Sequence, residues 1–317
     1  MTDVLGTRSK TVRPGACRAV LLLILILAAA CVGRPSETTS IPGVDLITIG
    51  SFDFSESEIL AEIYAQALTF RGYRVERVLR VGPRELVEPA LEEGLIDLVP
   101  EYLGTALEFM THGRGTATAD VDASHQALQR ELSARGIAVL EAAPAQNANG
   151  VVVTRETAAR YGLERISDLA PHASELVIGG PPECPERPLC LQGLGRLYGL
   201  RFREFVPTDA GGPLTAGFLD AGEIDVAVLF TTSGYLGEDA YVLLEDDRGL
   251  QPAENVVPVV RGEVLRRYGA PLRDLLDDIS SRLEAEDLIA LNRSVELEGR
   301  DPARAALGWL TAHGYAG

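Results

Sequence analysis

The sequence predicts an α/β protein of two similar lobes, each a mostly parallel sheet flanked by helices, with a ligand cleft between them. Three observations carry this expectation. A stretch at residues 91–105, LEEGLIDLVPEYLGT, returns without a gap at residues 219–233 as LDAGEIDVAVLFTTS. The copies pair Gly94 with Gly222, Ile96 with Ile224, Asp97 with Asp225 and Tyr102 with Phe230. Each copy reads as a helix end, a glycine stop, a short buried strand and an aromatic ring at the exit. Next, the first half runs strand, helix, strand, helix, strand, the order that builds a largely parallel sheet. Finally, the roughly 275 residues after the leader are enough for two domains of ordinary size.

Taken in order, residues 1–31 read as a lipoprotein signal peptide rather than as part of the fold. Arg8, Lys10, Arg13 and Arg18 make a cationic start, and residues 19–30 (AVLLLILILAAA) are an apolar run of twelve. Such a run is too short to span a bilayer alone and fits a signal peptide core. Ala28, Ala29 and Ala30 directly before Cys31 resemble a bacterial lipobox, with the usual leucine one place early at Leu27. The resemblance implies cleavage before Cys31 and a lipid on its sulfur; an ordinary export signal with an incidental cysteine is the rival reading. Residues 32–43 are polar and rich in Pro and Gly, as a flexible tether is.

The net charge is −17, and the first 31 residues carry four positive charges and one negative, which leaves −20 beyond them. A chain this acidic does not neutralise phosphates, so nucleic acid is not an expected partner. Lysine occurs only at Lys10. Past the leader two cysteines remain, Cys184 and Cys190 in C-x5-C spacing. Outside the cytoplasm such a pair reads as a disulfide around a small loop. A metal site needs more ligands nearby, and the four histidines are scattered.

Residues 44–50 (VDLITIG) alternate as a first strand. Ser55 to Glu58 reads as a capping box at the start of a helix that Gly72 stops. Residues 74–81 are a second strand, 84–93 a short helix and 95–99 a third strand. In such sheets ligands bind beyond the carboxyl ends of the strands, which is where residues 52–55 and 102–105 emerge. Residues 146–149 form a polar hinge before a second α/β set running to about residue 250. The last stretch is helical and is expected to pack on the first lobe; Trp309 reads as core. The lobes are therefore expected at 44–145 plus 251–317 and at 146–250.

Here the residues match a family pattern. Gly50-Ser51-Phe52-Asp53-Phe54-Ser55-Glu56-Ser57 is similar to G-S-K-x-F-x-E-Q, and GLIDLVPEYLGT (94–105) to G-x-I-D-L-x-P-E-Y-T-G-T. GGPPECPERPLC (179–190), DAGGPLT (209–215), VLFTT (228–232) and LEDDRGLQPAENVVPVVR (244–261) follow in order. The chain resembles the osmoprotectant substrate-binding proteins of ABC importers, the glycine betaine/choline/carnitine-binding (ProX/OpuC-like) group. The resemblance covers nearly all of residues 44–317 and implies a two-lobed, type II-like periplasmic-binding-protein fold. It implies a quaternary ammonium held against aromatic faces between the lobes, since such a cation cannot hydrogen-bond and ring quadrupoles recognise it.

Carried over by motif, Tyr102 is the ring of P-E-Y, Thr105 a hydroxyl donor, Arg187 a partner for a carboxylate, and Phe230 a ring of the second lobe. The pattern departs at Phe52, where the family has lysine, at Ser57 for glutamine, and at Asn149 and Glu254, which align with rings. Glu254 as a counter-charge favours choline-like ligands over betaine. Asp97 and Asp225 fit capping or turn roles. The resemblance further implies hinge closure, delivery to an ABC permease and a lipid anchor at the outer face of the cytoplasmic membrane. No cofactor or metal is expected. A non-osmolyte ligand, hydroxylated or aromatic, and a sensor lipoprotein are the alternatives. An enzyme is not expected, because G-x-S-x-G, P-loop and dinucleotide fingerprints do not occur in the sequence.

Overall fold

The computed structural model describes residues 46–237 and 239–316. The signal peptide, the tether and Cys31 lie outside the described residues. The chain enters on β1 (Leu46–Phe52), whose Ile47 and Ile49 are fully buried. It then forms α1 (Ser55–Phe70), a helix with nearly all of its first three turns buried. The expected Ser55–Glu58 capping box does not form. Phe54 is the residue that caps α1, through its backbone carbonyl, and the Ser55 hydroxyl donates instead to Glu296 at 2.8 Å. A carboxylate 241 residues away is a stronger acceptor than anything in the local turn offers.

β2 (Arg74–Gly82) runs parallel to β1 at the sheet edge. Arg74, Glu76 and Arg77 along it keep that edge unattractive to another strand. α2 (Arg84–Glu92) leads to β3 (Leu98–Tyr102), every residue of which is buried. The strand predicted over 95–99 thus starts three residues later. Gly94 takes φ +77°, and the amides of Leu95 and Ile96 turn back to the Ala90 carbonyl at 2.8 and 3.2 Å. That glycine-supported helix stop uses up the residues that pattern alone assigns to a strand. As a result Tyr102 closes the strand.

α3 (Leu103–Met110), α4 (Val121–Ser133) and β4 (Ile137–Val139) follow. The chain then crosses to a second set: β5 (Asn149–Thr154), α5 (Arg155–Tyr161), β6 (Val177–Gly180), α6 (Leu191–Tyr198) and β7 (Glu204–Pro207). It continues with α7 (Pro213–Asp220), β8 (Val226–Phe230) and β9 (Tyr241–Leu243). The return crossover delivers β10 (Val256–Arg261), followed by α8 (Gly262–Tyr268), α9 (Ala270–Ser280), α10 (Ala285–Glu296) and α11 (Pro302–Ala312). α11, α10 and α9 all lie against α1, on the first sheet's side of the molecule. Trp309 is 6% exposed and stacks on His313 at 4.1 Å.

The two sheets share one plan. Their orders are β2-β1-β3-β10-β4 and β7-β6-β8-β5-β9. In each, four strands run one way and a single strand, β10 or β5, runs against them. In each sheet the reversed strand is the one that follows a crossover, and only the first lobe takes a strand, β10, laid down after the other lobe's own. The repeated stretch explains the matching local geometry. Asp97 accepts the Thr48 amide at 2.9 Å and Asp225 the Val177 amide at 2.8 Å. Ile96 and Ile224 pack so tightly that a Cβ on Gly50 or Gly179 would meet them at 2.7 and 2.5 Å.

Candidate functional site

Between the sheets lies a cavity of about 820 Å³, lined from both lobes. The carboxyl ends of β1, β3 and β8 point their last residues into it. From the first lobe come Phe52, Phe54, Tyr102, Thr105 and Phe109; from the second come Asn149, Arg187 and Phe230. Phe54 is the centre of the ring cluster. Its ring lies 6.0 Å from Phe52, 5.9 Å from Tyr102 and 4.8 Å from Phe230, so it joins the rings of the two lobes. Asn149 and Phe230 stand opposite each other in the β5–β8 pair.

A charged layer underlies the rings. Arg84 is held by Glu101 through two bonds, at 2.6 and 2.8 Å, and its guanidinium carbon sits 5.2 Å from the centre of Phe52. Burial alone would lower the Arg84 pKa, but the adjoining Glu101 outweighs it and the group stays firmly cationic. The Thr105 hydroxyl lies between Arg84 (3.2 Å) and Glu254 (3.3 Å). Burial pushes the Tyr102 phenol well up, and Glu56, which accepts its hydroxyl at 2.8 Å, adds to this.

Cys184 and Cys190 are joined in a disulfide that closes a short loop on the second lobe's side of the cavity. Arg187 sits within that loop. It reaches over to Glu85 of α2 at 2.8 Å and lies 5.2 Å from the Phe109 ring centre, linking the lobes at the mouth. Its pKa is lowered, first by burial and then by the nearby Arg84. Of the arginines lining the cavity, Arg84 is buried against Glu101, while Arg187 pairs with the half-exposed Glu85 and keeps donor capacity on the cavity side.

Six of the seven expected contact residues line the cavity: Phe52, Tyr102, Thr105, Asn149, Arg187 and Phe230. Glu254 does not. It is fully buried behind α3, where its carboxylate accepts the Thr105 amide at 3.1 Å, and burial pushes its pKa up to about 8. A carboxylate held largely neutral in a dry site does not serve as counter-charge to a bound cation. Phe54, Phe109 and Arg84 complete the wall without having been singled out by the sequence. The signal for Phe54 was the aromatic in the quoted G-S-K-x-F-x-E-Q pattern.

The family model for the substrate binding domain of ABC-type glycine betaine transport systems matches residues 45–312. The chain belongs to this family. It is a substrate-binding protein of an osmoprotectant-type ABC importer and not an enzyme. A Pseudomonas aeruginosa protein named glycine-betaine-binding protein is 31% identical over 302 residues, covering 92% of this chain and 94% of the relative. A Helicobacter pylori relative, the ergothioneine transport permease/ergothioneine binding protein EgtU, is 26% identical; the match covers 92% of this chain and 51% of that longer protein. A solved glycine betaine/carnitine/choline ABC transporter structure has the same two-lobed fold, with TM-score 0.68, 23% identity, and coverage of 86% of this chain and all of that one. In this substrate-binding protein the rings of both lobes and Arg187 therefore form the candidate ligand wall.

Proposed function

We propose that the cleft captures a betaine, a quaternary ammonium that also carries a carboxylate, outside the cytoplasmic membrane. Hinge closure would enclose it, and the protein would hand it to its permease while a lipid on Cys31 holds the protein to the outer face of the membrane. One observation carries this reading: rings from both lobes converge on Phe54 along the same cavity wall that Arg187 faces. A desolvated cation against aromatic faces gains roughly 0.5–2 kcal/mol per ring. A carboxylate pairing with Arg187 gains a charge-assisted hydrogen bond and satisfies a cation that Glu85 only partly neutralises. With Glu254 outside the cavity, the argument for choline loses its counter-charge, and an arginine only partly neutralised by Glu85 favours a zwitterion.

A second reading places a larger, ring-bearing betaine of the ergothioneine type in the same site. The volume favours it: about 820 Å³ lies in the upper part of the range typical of sites for drug-sized ligands, about 300–1,000 Å³. Titration calorimetry of the purified protein against glycine betaine, carnitine, ergothioneine and choline separates the readings. Betaines should bind, and choline, which lacks the carboxylate, should bind at least tenfold more weakly, as expected for loss of one charge-assisted bond. The absence of heat with every quaternary ammonium would falsify the betaine assignment and leave the fold untouched.

A further inference from the structure

Beneath the ring cluster, Glu56 occupies a position that the ligand does not need to touch. Its side chain sits on the first turn of α1 and is 2% exposed. Four side-chain donors from four separate segments converge on its carboxylate. One oxygen accepts the Tyr102 hydroxyl at 2.8 Å and the Asn147 amide at 2.7 Å. The other accepts the Thr232 hydroxyl at 2.5 Å and the Asn292 amide at 2.6 Å. A carboxylate offers about four acceptor positions, and all are filled.

The four donors are not a random set. Tyr102 is a ring of the ligand wall, and Asn147 lies on the first crossover between the lobes. Thr232 stands two residues past Phe230 in the second lobe, and Asn292 belongs to α10, whose amide also reaches the Thr232 carbonyl at 2.9 Å. We infer that Glu56 is a positioning residue that couples the pose of Tyr102 to the placement of the second lobe. Turning that lobe about its crossovers carries Thr232 away from the carboxylate. A buried acceptor then loses a donor while water cannot replace it, which is costly. The same movement leaves the carboxylate with one anchor fewer, and with it the Tyr102 hydroxyl that it accepts, so the ring is held most firmly for its ligand in the closed arrangement. The ligand arm of this inference rests on the betaine reading; the hinge arm does not.

Thr232→Val tests it, since valine keeps the shape and removes the donor. Spin labels at Glu76→Cys and Arg201→Cys, one on each lobe, report the separation of the lobes in the full protein without ligand. T232V is expected to shift that distance distribution toward longer values and to weaken glycine betaine binding about tenfold. Thr232→Ser, which restores the hydroxyl, should return both to the parent values. The Y102F/T232V double variant should lose little more affinity than the worse single variant, because both act through one carboxylate. An unchanged distance distribution in T232V, or fully additive losses in the double variant, overturns the inference. If the parent protein takes no betaine, the betaine reading fails and the distance measurement alone decides the role of Glu56.

Discussion

The two repeated stretches are wired alike as far as their strands and differently beyond them. In both, two amides after the glycine stop fold back on the helix, to Ala90 in one copy and Phe218 in the other. In both an aspartate ties the turn to the neighbouring strand, β1 or β6, and an isoleucine wedges against a glycine. At the strand exits the likeness ends. Tyr102 is 5% exposed, its hydroxyl locked to Glu56, and runs straight into α3. Phe230 is only half-buried, bonds to nothing through its side chain, and is followed by Thr231 and Thr232 at the hinge. The difference teaches that one lobe brings a prepared wall and the other brings a closing face. Rings cluster on the first lobe, while the second adds one ring, an amide and the disulfide-held Arg187.

Removing the prepared wall should have the largest effect. Tyr102→Ala deletes a ring and strips Glu56 of a donor, and calorimetry should show betaine affinity falling at least tenfold, with ring and hydrogen-bond losses combining. Normal binding by Y102A would place the ligand elsewhere. On the closing face, Arg187→Gln should weaken carboxylate-bearing ligands about tenfold while leaving choline nearly as before. Equal losses for both ligands would mean that Arg187 acts by bracing the loop against Glu85.

A smaller effect is expected behind the wall. Burial holds the Glu254 pKa near 8, above the ordinary carboxylate value. For a group shifted upward, its contribution to stability is fully present below the ordinary value and is lost as pH rises toward about 8. Glu254→Gln keeps an acceptor for Thr105 and cannot ionise. Its melting temperature should exceed the parent's by about 2–4 °C at pH 8, with a smaller gap at pH 5. A pH-independent gap would show that Glu254 does not titrate in this way.

The smallest effect on binding is expected where the copies agree. Asp97→Asn and Asp225→Asn should each cost about 1–3 kcal/mol in denaturant unfolding, with Asp97 the costlier because it also pairs with Arg261 at 3.3 Å. Ligand affinity should stay within about twofold for both, as expected for sites distant from the ligand. A large affinity loss in either variant would break the division between shared wiring and specialised exits.

Much of the fold was legible because it rests on local signals. Alternation marks the strands, and glycine followed by Ile-Asp marks both copies of the turn. The ring at each strand exit was visible from the same register. What escaped was non-local. Ser55 looks like a helix cap, yet its partner is Glu296 on α10. Glu254 aligns with a ring position, but alignment gives place along the chain and not the face a side chain takes; α3 covers it. Phe54 was written in the matched motif, and only its distances to three other rings reveal it as their centre. Glu56 stands at the glutamate of the same motif, but its role was hidden, since its four donors come from segments as far apart as residues 102 and 292.

The borrowed strand β10 also sets an order of assembly. Every strand of the second sheet lies between Asn149 and Leu243, so that lobe is complete in one continuous piece of chain. The first sheet lacks β10, the strand between β3 and β4, until residues 256–261 arrive. β3 then has an open edge and β4 has no neighbour, and the covering helices α8 to α11 come later still. The lobe begun first is therefore expected to finish last. Pulse-labelled hydrogen exchange during refolding should show β6 and β8 protected before β3; the reverse order would rule this out. A chain built this way keeps its ligand wall unfinished until β10 has emerged, more than 150 residues after Tyr102.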